Sequence, residues 1–240
     1  LILIALPAIA TVKRVKVVYG DDNRKDVYQS SNPLYKLLAS FIAGMVSNRV
    51  LQQEYDGFYS IRNKTSLERG MNLCPSERFS QQPLLANCSG FLIGEDILVS
   101  AGHCFAGPAK GSCKENSWVF GLKMESRKHI NLNFIPSQNV YRCKKVIKAI
   151  SNKKQDFAII QLDRKVVNRR PLRFRAQGKI SKSAKLVVIG HPTMMPLKIS
   201  AGGTILMNHN PYQFTTTLDS FQGNSGSAVF DSKTGMLEGI

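Results

Sequence analysis

CSGFLIGEDILVSAGHC, residues 88–104, holds two short apolar runs, 88–94 and 96–101, split by turn-type residues. Apolar runs of this length bounded by Gly and Asp read as strands rather than helices. The same texture continues outward toward the C-terminus. SWVFGL (117–122), YRCKKVIKAI (141–150), DFAIIQLD (156–163) and KLVVIGH (185–191) are further runs of the kind. LKISAGGTILMN (197–208), YQFTTTLD (212–219), GSAVF (226–230) and MLEGI (236–240) complete the series. Ten such runs without amphipathic helices between them predict an all-β sandwich or barrel. The basic stretch Arg164–Ser183, with Pro171 and Gly178, divides the runs into two groups, as two packed barrels would.

Upstream the pattern changes. SSNPLYKLLASFIAGMVSNRV (30–50) offers Ser31 or Asn32 as a cap, Pro33 in the first turn, and apolar residues at Leu34, Leu37, Leu38, Phe41, Ile42, Met45 and Val46. That i, i+3, i+4 spacing predicts a one-sided helix over about 33–47, packed on the downstream domain. The first ten residues, LILIALPAIA, resemble the apolar part of a secretory signal, with Ala8 and Ala10 as small residues near a cleavage point. A membrane anchor is the alternative, although the run is shorter than the roughly 20 residues that span a bilayer. The sequence starts inside one apolar run and stops inside another, and so reads as part of a longer chain.

With 240 residues, 43% hydrophobic and 20% charged, the composition is globular and excludes disorder. The net charge of +17 is concentrated, with 15 basic residues against Asp156 and Asp163 between Arg142 and Lys185. Such a field suits anionic surfaces or is a solvated cationic face; no nucleic-acid motif accompanies it. The five cysteines, Cys74, Cys88, Cys104, Cys113 and Cys143, form no C-x-x-C pair and fit an oxidising compartment. No metal or cofactor motif is present. Asn63 and Asn87 stand in glycosylation-type triplets that matter only in a eukaryotic secretory route.

Acyl transfer needs a hydroxyl nucleophile, a base to activate it, and a carboxylate to hold that base in the right tautomer. His103 follows the strand-like ILVSA, Asp156 opens DFAIIQLD, and Ser225 lies in GNSGS between glycines that allow a sharp, exposed turn. Singly, each has an ordinary structural reading as a core histidine, a strand-edge carboxylate or a loop serine. The order His, Asp, Ser differs from the Ser, Asp, His of the α/β-hydrolases, and AVF after Ser225 continues as strand rather than helix.

CSGFLIGEDILVSAGHC, DFAIIQL and DSFQGNSGSAVF, in that order, resemble the trypsin-like (chymotrypsin-fold) serine peptidases over residues 75–240, most closely the bacterial glutamyl-endopeptidase-like branch. The resemblance implies an all-β fold of two packed six-stranded barrels, the C-terminal one incomplete, behind an N-terminal helical pro-segment. Its divisions are a signal fragment at 1–10, a pro-segment at 11–74, barrels at 75–165 and 184–240, and a basic linker at 166–183. It makes Ser225 the nucleophile, His103 the general base and Asp156 its orienting carboxylate. The Gly223 and Ser225 N–H groups become the oxyanion hole, and Cys88–Cys104 the disulfide that closes the His103 loop. Cys113–Cys143 is the expected second bridge, with Cys74 left over.

Two residues of the last motif qualify this picture. Asn224 stands where trypsin has the Asp that receives a new N-terminal amine, so activation by that ion pair is not expected. Asp219, six residues before Ser225, matches the trypsin pocket carboxylate and suggests cleavage after basic residues. In glutamyl-specific relatives a His on a later strand selects acidic side chains instead. The expectation is a secreted, periplasmic or cell-surface endopeptidase, monomeric, without cofactor or metal, acting on proteins or peptides and activated by cleavage between Val50 and Phe79. A catalytically silent basic module that binds anionic surfaces is the competing reading, with an esterase on the same fold third.

Overall fold

The computed structural model describes residues 17–62, 65–105 and 113–240; the apolar residues 1–10 and Asn63 lie outside them. In chain order the strands are β1 (Lys25–Asp26), β2 (Ile42–Ser47), β3 (Leu51–Gln53), β4 (Phe58–Ile61) and β5 (Cys88–Leu92). There follow β6 (Ile97–Ser100), β7 (Asn116–Phe120), β8 (Ile135–Pro136), β9 (Val140–Ser151) and β10 (Asp156–Leu162). The last are β11 (Lys185–Gly190), β12 (Lys198–Met207), β13 (Thr215–Thr216), β14 (Ala228–Asp231) and β15 (Leu237–Gly239). Two short α-helices, α1 (Pro33–Ala39) and α2 (Leu67–Met71), are the other main elements.

Strands β10-β6-β5-β2-β7-β9 close into an antiparallel barrel. Its interior is filled by Leu92, Leu98, Trp118, Tyr141 and Ile160, all essentially without solvent exposure. Phe120 stands edge-on to Tyr141 with ring centroids 5.7 Å apart. The second sheet runs β1-β12-β11-β14-β15, with β13 pairing β12. Val187, Ile189, Ile199 and Phe230 of that sheet share one core with Phe91 and Ile42 of the barrel. Continuous apolar burial across the two sheets makes them pack as one body. The double-barrel, all-β expectation is therefore met.

The helix over 33–47 is corrected. Asn32 accepts from the Leu34 N–H at 2.9 Å and Pro33 opens α1, as read, but α1 ends at Ala39 and Ile42–Ser47 is barrel strand β2. It pairs with β5 on one side and β7 on the other. A run buried on both faces carries no alternation, so its spacing mimics a helical stripe; two ladders of backbone hydrogen bonds decide in favour of the strand.

The barrel therefore begins at Ile42, not at 75, and the upstream residues belong to the fold. Val27, Leu38 and Ala39 are buried in the shared core, and β1 pairs antiparallel with β12. Assigning 11–74 wholly to a pro-segment is thus corrected for the described residues 17–62 and 65–74. The expected bridges Cys88–Cys104 and Cys113–Cys143 are both formed, and Cys74 is free and exposed.

Candidate active site

His103 sits in the turn after β6, whose last residues are tied to β10 by register and to β5 by Ser100 Oγ, which donates to Ser89 O at 2.7 Å. Asp156 is the first residue of β10, at the open end of the barrel. Ser225 comes from the loop before β14, on the other sheet. Gly226 follows it with φ of 80°, and a Cβ there would stand 2.1 Å from Ser89 O. Only glycine lets this loop approach β5 so closely. Ser89 N–H donates to Ser225 O at 2.8 Å and completes the seam.

The three residues that the sequence singled out meet across this seam. His103 Nδ1 is 2.5 Å from Asp156 Oδ2, the His103 backbone N–H donates to Asp156 Oδ1 at 2.8 Å, and His103 Nε2 is 2.7 Å from Ser225 Oγ. Burial pushes the Asp156 carboxyl up, but hydrogen bonds from the His103 ring and backbone, the His103 charge and Ser151 together hold it below the ordinary aspartate value. An ionised carboxylate only accepts, so Nδ1 carries the proton and Nε2 is left to accept from the Ser225 hydroxyl. Among the described residues neither the Gly223 nor the Ser225 N–H donates to another backbone group.

A cleft of about 850 Å³ opens over this trio; Lys154, Arg175 and Lys179 also line it. Residues 88–240 match the family model of the trypsin-like peptidase domain, which is more than half of the chain. The chain belongs to the trypsin-like peptidase family. Solved structures of this fold agree. A Glu endopeptidase in complex with MPD is 18% identical with a TM-score of 0.54, covering 92% of this chain and 85% of that one. The active form of the Rv3671c protease from M. tuberculosis is 15% identical with a TM-score of 0.51, over 96% and 81%. The VesB protease of Vibrio cholerae is 14% identical with a TM-score of 0.54, over 91% and 59%. At these identities the likeness is one of fold. No curated protein matches the chain in sequence.

Asp219 is where the structure departs most from the sequence reading. It is 1% exposed and does not line the cleft, although its neighbours Leu218 and Ser220 do. Its Oδ1 accepts from the Tyr19 N–H at 2.9 Å and its Oδ2 from the Asn23 N–H at 3.2 Å. The carboxylate that was expected to meet a basic substrate is committed to the chain's own N-terminal segment. Ser220 N–H reinforces this by donating to Val17 O at 3.0 Å, and the Arg24 guanidinium lies 3.8 Å from the centre of the Phe221 ring. Residues 17–24 thus brace the loop that carries Ser225. Tyr19, Asn23 and Arg24 gave no sign of this in the sequence, because partners some 200 positions apart leave no local pattern.

The sulfurs of Cys88 and Cys104 approach His103, but their disulfide leaves no thiolate for a metal.

Proposed function

We propose that this trypsin-like peptidase is an exported serine endopeptidase that cleaves peptide bonds through Ser225, His103 and Asp156. The hydrogen-bonded chain Asp156–His103–Ser225 is the observation that carries the reading. Ser225 Oγ attacks the scissile carbonyl while His103 Nε2 takes its proton. The imidazolium so formed is stabilised by Asp156 and returns that proton to the leaving amine. Water, activated by His103 in the same way, then releases the acyl group from Ser225. The Gly223 and Ser225 N–H groups take the negative charge that develops on the carbonyl oxygen; a donor of this kind is worth about 2.7–4 kcal/mol.

Two disulfides support an oxidising destination, secreted, periplasmic or at the cell surface, and the protein is taken to act as a monomer on proteins or peptides. A preference for basic substrates loses its support with Asp219; of the cleft's cations Arg175 is already paired with Glu238, which also lines it, and Lys154 and Lys179 are left to meet neutral or acidic side chains. The exposed Arg142, Lys144, Lys145 and Lys148 of β9 form a separate basic face for anionic surfaces.

Labelling with a fluorophosphonate probe decides between peptidase and silent binding module. Mature protein is expected to label and Ser225→Ala to lose both labelling and peptide turnover. Equal labelling of the two would remove Ser225 from the mechanism, and no labelling of either would favour the binding module.

A further inference from the structure

The oxyanion hole depends on which way one peptide plane faces, and the structure shows what holds it. Thr193 and Met194 follow Pro192 with φ of 52° and 61°, in the left-handed region. For a β-branched residue such as Thr193 this is an outlier that surrounding contacts must enforce. Several do. His191 N–H donates to Ser89 Oγ at 2.9 Å, and His191 Nδ1 donates to Met195 O at 2.9 Å. Met195 N–H donates to Pro192 O at 3.0 Å, while Met194 O accepts from Leu85 N–H at 2.7 Å and Ala86 N–H at 3.2 Å. His191 and Met195 are buried, so the bracket is fixed from both barrels.

The bracket aims the Thr193 N–H at Gln222 O, 2.5 Å away. No peptide bond among the described residues is cis, and in a trans peptide the C=O and the following N–H point in opposite directions. Holding the Gln222 carbonyl against the turn therefore turns the Gly223 N–H away from it, free of any backbone acceptor among the described residues. Gly223 has φ of 92°, and a Cβ there would stand 2.7 Å from Met194 N and 3.0 Å from Thr193 N. The fit leaves no room for a side chain between loop and turn. A rotated peptide would put the Gln222 carbonyl where the substrate oxygen belongs, and would break the Thr193 bond.

We propose that the Pro192–Met194 turn is the positioning element of the oxyanion hole, acting through the Thr193 N–H on the Gln222–Gly223 peptide. The inference rests on the serine-endopeptidase reading and adds to it a residue that touches no substrate.

The test replaces Thr193 by its α-hydroxy acid analogue, which exchanges the N–H for an ester oxygen and leaves the side chain intact. The ester variant is expected to lose kcat roughly 10- to 100-fold, short of the 10²–10³-fold for deleting an oxyanion donor outright. KM should stay within about threefold, and affinity for a peptide boronate should fall in parallel with kcat. Thr193→Asn keeps the N–H and enters the left-handed region more easily. It is expected to fold and to retain wild-type kcat and boronate affinity. Wild-type kcat in the ester variant, a change in KM alone, or a Thr193→Asn loss as large as the ester's would overturn the proposal. Wild-type turnover and its loss in Ser225→Ala are read in the same assay, so the peptidase reading and the role of the turn can fail separately.

Discussion

Asp219 accepts two backbone N–H groups from a segment that begins some 200 residues earlier, and it does so almost without solvent. Replacing it by Ser removes the carboxylate that these two part-buried donors share, at about 0.5–1.5 kcal/mol each. Asp219→Ser should lower the melting temperature and reduce kcat/KM by a similar factor on Arg, Ala and Glu peptide libraries, because it loosens the loop behind Ser225. A selective loss of cleavage after Arg and Lys would restore the pocket role and sink the brace. His191 is the other telling residue. Burial, with a smaller contribution from the Lys198 charge, pushes its pKa from 6.5 down to about 4, and Nε2 has no partner among the described residues. The unfolded chain therefore binds a proton near pH 6.5 that the folded chain refuses until about 4. Stability is full above pH 6.5 and falls as the pH drops through that window, by about 3 kcal/mol in all. Urea unfolding at pH 7.5 and 4.5 should show this slope, and His191→Gln should flatten it. The three residues that meet over the cleft, His103, Asp156 and Ser225, were legible in the sequence because each lies beside a strand-like run. The contacts of Asp219 with Tyr19 and Asn23 were not legible, because spacing records a position and not a partner.

At the scale of elements, β1 shows how little sequence is needed to place a segment once a buried charge is satisfied. Lys198 opens β12 and is 2% exposed; its ammonium donates to Asp26 Oδ1 at 2.6 Å, Gln82 Oε1 at 2.5 Å and Pro196 O at 3.0 Å. Burial draws its pKa down to about 8, against the pull of Asp26 in the other direction. Three acceptors match the three donors of the ammonium, the condition under which a buried pair is tolerated. Lys198→Met should cost about 3–5 kcal/mol in urea unfolding, since Asp26 is left buried and charged. The double variant with Asp26→Asn should recover part of that, and a single-variant loss below about 1 kcal/mol would mean that the pair is idle. Elements with an alternating or capped pattern were read correctly, including the start of α1 at Asn32. β2 was not, because Ile42–Ser47 is buried on both faces and its neighbours in the barrel lie more than 40 residues downstream.

At the scale of the whole molecule, the placement of β2 decides what the N-terminal third is for. A pro-segment must be able to leave without dismantling what it covers. Here β2 lies between β5 and β7 in a closed barrel, and Val27, Leu38 and Ala39 fill the core shared with the second sheet. A cut in the exposed stretch 72–77 falls within the expected activation region, yet it would free a piece that contributes a central strand. Both disulfides lie on the C-terminal side of such a cut, so only non-covalent contacts join the two pieces. A specific-protease site placed between Asn72 and Ser76 therefore separates the alternatives. The nicked protein should elute as one species under native conditions, keep peptide turnover within about threefold, and part into two fragments in urea without reductant. Release of the N-terminal fragment under native conditions, with turnover rising, would show that residues 17–72 are a removable inhibitor and not the first wall of the barrel.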